Sequence, residues 1–326
     1  MVSSIDHAGP WALGSFSRAG QSPFPGLLCR DRVLDLSAEE KAGRPASVLA
    51  LMEDWDTVRP VLESLATAPD GERWVPLDGL RVAAPIVPRQ IFQAGANYRT
   101  HVIDLAVKHH DPSDGRTPQQ VRADATAQMD ERLEHPPYVF TGLPSAMCGA
   151  YDDVILPKHG KQPDWELELA AVIGRPVRDL DPSQALDAVA GWVIVNDLTL
   201  RELVMRRDMP ELGADWMASK NAPTFLPTGP VIVPRSAAPD PADFQLTLKL
   251  NGEVMQNESA KDMIFDVARI VAHCSKMATL LPGDLVLTGS PAGNGLVHGR
   301  LLRDGDVMDA TITGLGAQRN RCVAAS

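Results

Sequence analysis

The chain has 326 residues, 44% hydrophobic and 22% charged, the composition of a globular protein with room for about two domains. Its 31 basic and 42 acidic residues give a formal net charge of −11, which argues against nucleic acid as a partner; no run of about 18 apolar residues offers a membrane span, and the opening MVSSIDHAGPWALG lacks the basic and apolar regions of a secretion signal. Cys29, Cys148, Cys274 and Cys322 are scattered, with no C-x-x-C pair and no zinc spacing, and read as reduced thiols of a cytoplasmic protein.

Residues 1–80 read as a leading module without apparent chemistry: strands over 11–16 and 26–35, then one helix over 47–66 carrying Val48, Leu49, Leu51, Met52, Val58, Val61, Leu62 and Leu65. Pro69-Asp70-Gly71 marks a loop. A strand at 91–93 then delivers Asn97, Tyr98 and His101. His101 and Asp104 stand three apart and share a face on a helical turn, so the carboxylate could orient the imidazole; a surface histidine with a local acid has the same spacing. Residues 105–136 are polar and poor in aromatics, with a Pro/Gly-rich stretch at 112–118 and an expected helix over 118–133 bearing Val121, Ala125 and Met129 on one side. The segment reads either as a lid that closes over a site and excludes water or as a solvated insertion or oligomer contact. The lid is preferred because it directly follows His101. The adjacent His109 and His110 read as an exposed pair rather than a metal site.

Residues 164–174, DWELELAAVIG, read as a strand. Alternation puts Glu166 and Glu168 on one face, roughly 7 Å apart at Cβ. Two carboxylates that close repel, and burying them unpaired is costly. A hard divalent cation such as Mg2+ would remove both costs, although a strand with one solvated acidic face has the same pattern. A second strand at 191–195 ends near Asp197, where a third ligand could sit. Asp197 and Arg201 would share a face if the chain turned helical there. Further on, Asn251-Gly252 signals a tight hairpin turn, 259–277 reads as a helix, and Pro282-Gly283 turns into a buried strand over 285–288.

Six stretches recur in a fixed order: GANYRTH at 95–101, ELELAAVIG at 166–174, GWVIVNDLTLR at 191–201, Lys220 ahead of Gly229-Pro230, NGEVMQ at 251–256 and PGDLVLTGSPAG at 282–293. Together they resemble the fumarylacetoacetate hydrolase family over residues 83–321. The resemblance implies an α+β, mainly-β fold: a mixed β-roll catalytic domain at 81–326, interrupted by the lid segment 105–136, and a small N-terminal domain at 1–80 packed on it. It implies one Mg2+ or Mn2+ per subunit on Glu166, Glu168 and Asp197, with Ca2+ able to substitute, and a homodimer. His101 would be the general base with Asp104 in place of the family's Glu, and Lys220 would serve both catalysis and substrate binding beside Tyr98, Arg201 and Ser290. The substrate shell departs from the family's pattern at Gly142, where a Lys is usual, at Glu202 and Val204, and after Lys220. The function implied is hydrolysis of a C–C bond in acylpyruvate-like, 1,3-diketo acid substrates through an enolate that the metal stabilises, within aromatic or sugar-acid catabolism. Decarboxylation, hydration or isomerisation of a 2-oxo acid, or non-catalytic binding of metal and an organic acid, are the alternatives. The expected partner is a small anionic keto acid, with neither nucleic acid nor membrane.

Overall fold

Short strands at the start of the chain pair into a five-stranded sheet. The computed structural model, which describes residues 2–108 and 110–326, orders them Trp74–Pro76, Arg32–Asp35, Phe24–Cys29, Ala12–Ser17 and Arg81–Ala83. The single strand expected over 26–35 is a hairpin, because the chain reverses at Arg30, in the left-handed region at φ 55°. The helix expected over 47–66 is two, Val48–Met52 and Trp55–Ala66. They meet at Asp54, whose φ of −130° is non-helical. With that break Leu51, Met52, Trp55 and Leu62 are all buried.

The centre of the molecule is an eight-stranded mixed sheet. Its path runs Val139–Gly142, Ile91–Ala94, Leu285–Leu287, Leu167–Ile173, Val189–Asn196, Leu226–Thr228 and Met147–Gly149, with Val233–Pro234 pairing beside it on Val189–Asn196. Leu167–Ile173 and Val189–Asn196 are buried along their whole length, and alternation sends their side chains into two cores. Leu167, Leu169, Ala171 and Ile173 join the core beneath a second five-stranded sheet, which runs Glu253–Ser259, Gln245–Leu250, Val307–Ile312, Gly316–Ala324 and Val154–Leu156. Ala170, Val172, Val193 and Val195 instead pack with Leu51, Met52 and Trp55 of the leading module, so one apolar cluster runs across residue 80.

The hairpin at Asn251-Gly252 forms as expected, both residues at positive φ. The helix expected over 259–277 spans only Val267–Met277. Asn97 accounts for the difference: its carbonyl accepts from the Ile264 N–H, its side-chain Oδ1 accepts from the Phe265 N–H, and its Nδ2 donates to the Phe265 carbonyl. These bonds hold 264–265 in a bend outside the helix, and Asp266 then caps the helix by accepting from the Arg269 N–H. His109 lies outside the described residues. All four cysteines are buried and free, and no helix among the described residues is long and apolar enough to cross a membrane.

Candidate metal and active site

Strand register brings the three carboxylates together. Leu167 faces Asn196 and Glu168 faces Val195; one step on, the Asp197 N–H donates to the Glu166 carbonyl at 2.9 Å. Glu166 and Asp197 are therefore cross-strand neighbours, about 5 Å apart at Cβ, and Glu168 follows on the same face. One carboxylate oxygen from each lies within 4.8 Å of the others. Hard cations bind oxygen at about 2.0–2.6 Å, so one divalent ion can reach all three. The donor set is all oxygen, which suits Mg2+ or Mn2+ rather than a soft metal.

The surrounding charge also calls for such an ion. The Lys220 ammonium lies 2.6 Å from Glu166 Oε2 and 2.7 Å from Asp197 Oδ2, and donates to the Asp197 carbonyl at 2.8 Å. Arg201 reaches Asp164 at 2.8 Å and Glu166 at 2.5 Å. Fully ionised, four carboxylates, counting Asp164, against two cations would give the buried cluster two excess negative charges. Titration reflects this imbalance. Burial pushes Glu168 well above the carboxylate range, and the Asp197 charge adds to it. Burial likewise pushes Asp197 up to about 6, with Lys220 opposing. Only Glu166 is held low, at about 2, because Arg201 and Lys220 together outweigh its burial.

Two features of this arrangement differ from the sequence reading. Asp197 and Arg201 do not meet on a helical turn: Thr199–Leu200 is a strand paired with Pro163–Asp164, so Arg201 is carried across to Asp164 and Glu166. His101 and Asp104 do lie on one helix, Arg99–Lys108, but share no hydrogen bond. Asp104 accepts from Arg122 at 2.8 Å, and His101 Nδ1 is buried without a partner among the described residues. The imidazole is 7% exposed. Burial lowers its pKa to about 4, against the pull of Glu166. At neutral pH it is therefore an uncharged base, close enough to Glu166 and Arg201 to feel both.

The other anticipated residues line or brace the cluster. Tyr98 is fully buried, its hydroxyl near Thr288 without a well-formed hydrogen bond and its ionisation opposed first by burial and then by Glu168. Ser290 accepts from Gln256 Nε2 at 2.9 Å, and the same glutamine side chain accepts from the Leu167 N–H, so NGEVMQ clamps the acidic strand to the 288–291 loop. Within that loop the Gly289 N–H donates to Glu168 Oε2 at 2.7 Å.

Sequence reasoning passed over two residues. Asp164 has the same strand parity as Glu166 and Glu168, a signal that was available; it anchors Arg201 and accepts from the Gly295 and Leu296 N–H groups. Gln93 gave no signal. Its Nε2 donates to Asp197 Oδ1 at 2.6 Å, and it fills the space beside Gly142, where an added Cβ would lie 2.4 Å from Gln93 Oε1.

The model of the fumarylacetoacetate (FAA) hydrolase C-terminal family matches residues 90–323. A fumarylacetoacetate hydrolase domain-containing protein 2 homolog of Dictyostelium discoideum is 30% identical over 315 residues, covering 92% of each chain. A 5-carboxymethyl-2-hydroxymuconate delta-isomerase of Mycobacterium smegmatis superposes with a TM-score of 0.68 at 26% identity, over 97% of this chain and 99% of its own. A maleylpyruvate hydrolase of Sphingobium sp. SYK-6, solved with manganese(II) and pyruvate, superposes with a TM-score of 0.73 at 24% identity, over 97% of this chain and all of its own; at that identity the likeness is one of fold.

Proposed function

Because the chain belongs to the fumarylacetoacetate hydrolase family, we propose that it is a metal-dependent hydrolase that cleaves the C–C bond between the two carbonyl carbons' shared methylene and the acyl carbon of an acylpyruvate. The observation that carries this reading is a buried His101 within electrostatic reach of Glu166, beside an all-oxygen cradle of Glu166, Glu168 and Asp197. Glu166, Glu168 and Asp197 would hold one Mg2+ or Mn2+, which supplies Lewis acidity toward the substrate's carbonyl oxygens.

The protein groups then divide the remaining work. His101 takes a proton from water as the oxygen adds to the acyl carbonyl carbon. The C–C bond breaks, its electron pair stays with the three-carbon fragment as an enolate, and protonation there gives pyruvate. Water is consumed, and the products are pyruvate and the carboxylate of the acyl group. Lys220 and Arg201 stand where they can offset the oxyanion charge that develops. Closure of the 105–136 segment would exclude bulk water, and a move of Asp104 from Arg122 to His101 would raise the basicity of the imidazole.

The test is incubation of Mn2+-loaded protein with acetylpyruvate, with pyruvate and acetate measured independently. Equimolar products, abolished by a chelator, are expected. His101→Asn should lower kcat by about 10^2- to 10^4-fold while still binding Mn2+. The likeness to an isomerase at 26% identity supports a second reading, in which the same enolate is only reprotonated. Consumption of a 2-hydroxy-dienoate substrate with no pyruvate released would favour it.

A further inference from the structure

Five of the six tryptophans, Trp11, Trp55, Trp74, Trp165 and Trp192, are buried in the cores. Trp216 is not: it is half-buried, on the short helix Trp216–Lys220 whose last residue sits among the carboxylates. Its ring stacks on Phe140, with centroids 4.5 Å apart and planes 13° from parallel. Its Nε1 donates to Tyr138 Oη, which fixes the indole in its plane. Tyr138 is 47% exposed and the neighbouring Met217 is 65% exposed. In a chain only 5% aromatic, this is an unusual concentration of rings left open to solvent.

The rings are continuous with the charged cluster. Lys220 Nζ stands 6.0 Å from the centre of the Phe140 ring. Phe140 faces Gln93 across the strand pair, and Gln93 donates to Asp197. Two glycines shape the surface. A Cβ at Gly95 would lie 2.9 Å from Tyr138 Cδ1, and one at Gly142 would displace Gln93. The wall beyond Lys220 is therefore aromatic, a flat Phe140–Trp216 stack with Tyr138 tilted 39° and 53° from the two rings and hydrogen-bonded to Trp216, whereas the floor beneath Lys220 is ionic.

We propose that the Tyr138–Phe140–Trp216 surface is the subsite for the acyl group of the substrate, and that it selects a flat, uncharged acyl group, namely an aromatic ring conjugated to the carbonyl that is cleaved. This rests on the acylpyruvate reading above. The dicarbonyl end of the substrate meets the carboxylate cluster and Lys220. Its acyl end extends toward Phe140, where a further ring continues the stack or packs edge-on against Tyr138. The wall residues Tyr138, Phe140 and Trp216 carry no charge, and Lys220 beside them is held by Glu166 and Asp197.

The test compares kcat/KM for benzoylpyruvate and acetylpyruvate in the metal-loaded wild-type, Trp216→Ala and Trp216→Phe proteins. Benzoylpyruvate should be preferred by roughly tenfold or more, the size of one good aromatic contact together with its area. Trp216→Ala should cut that ratio by about tenfold, mostly through KM, and Trp216→Phe should keep most of it. If acetylpyruvate is cleaved but benzoylpyruvate is no better, or if the ratio survives Trp216→Ala, the subsite is refuted and the cleavage reading stands. If neither compound is cleaved, the cleavage reading itself fails. If Trp216→Ala lowers both activities together and light scattering shows loss of a dimer, the rings are a subunit contact and the subsite proposal is overturned.

Discussion

The floor of the site and the segment above it are built on opposite principles. In the floor, Glu166, Glu168 and Asp197 extend from the paired strands Leu167–Ile173 and Val189–Asn196, and Lys220, Arg201, Gln93 and the Gly289 N–H engage them away from water. In the segment above, Arg99–Lys108 and Pro118–Arg132 bury little beyond His101, Ile103, Val121, Ala125 and Met129. Solvent-facing ion pairs supply the rest: Arg122 with Asp104, Arg99 with Asp130, and Arg116 with Asp114 and Asp124. Such exposed pairs are worth about 0–1 kcal/mol each, whereas breaking a buried pair leaves an uncompensated charge in a medium of low dielectric. Under the proposed function the floor is where chemistry occurs, and we propose that the segment above, held by such weak pairs, opens as a lid.

The sharpest way to break this contrast is Lys220→Met. Without metal it leaves Asp197 without its cation and Glu166 with Arg201 alone, and unfolding should cost about 3–5 kcal/mol less than in the wild type. Added Mn2+ should restore much of that, since the ion supplies the missing charge. Thermal unfolding with and without Mn2+ measures both; an unchanged metal-free midpoint would mean that the buried cluster is not strained as described. Arg122→Ala is the smaller test. It should change stability by less than about 1 kcal/mol, yet speed amide exchange across 118–132 and free Asp104 for His101. A loss of stability as large as that of Lys220→Met would make the segment part of the rigid body rather than a lid.

Much of the floor was legible in the sequence because strand alternation is a local rule. Glu166 and Glu168 had to share a face, and Asp197 had to lie near a strand end. Register was not legible: that Glu166 stands directly across from Asp197 depends on how two strands separated by residues 174–188 pair. Partners fixed by long-range bonds were equally out of reach. Arg201 turns to Asp164 because Thr199–Leu200 pairs with Pro163–Asp164, and residues 264–265 stay out of the helix because Asn97 holds them. Local propensity favoured a helix in the second case and a helical turn in the first, and tertiary hydrogen bonds decided against both. The helix over 118–132 with its three inward residues was read correctly because it carries its own cap, Thr117 and Gln120 bonding reciprocally.

The central claim is that the Glu166–Glu168–Asp197 cradle holds one divalent ion. Titration of metal-free protein with Mn2+, following free ion by electron paramagnetic resonance, tests it most directly. The wild type should bind a single ion, and Glu168→Gln should weaken binding by roughly tenfold or more. Lowering the pH from about 7 to about 5 should also weaken it: burial raises Asp197 to about 6, so across that window it gains a proton that the ion must expel, and burial raises Glu168 as well. Equal affinity in wild type and Glu168→Gln, with no dependence on pH across that window, would contradict the account.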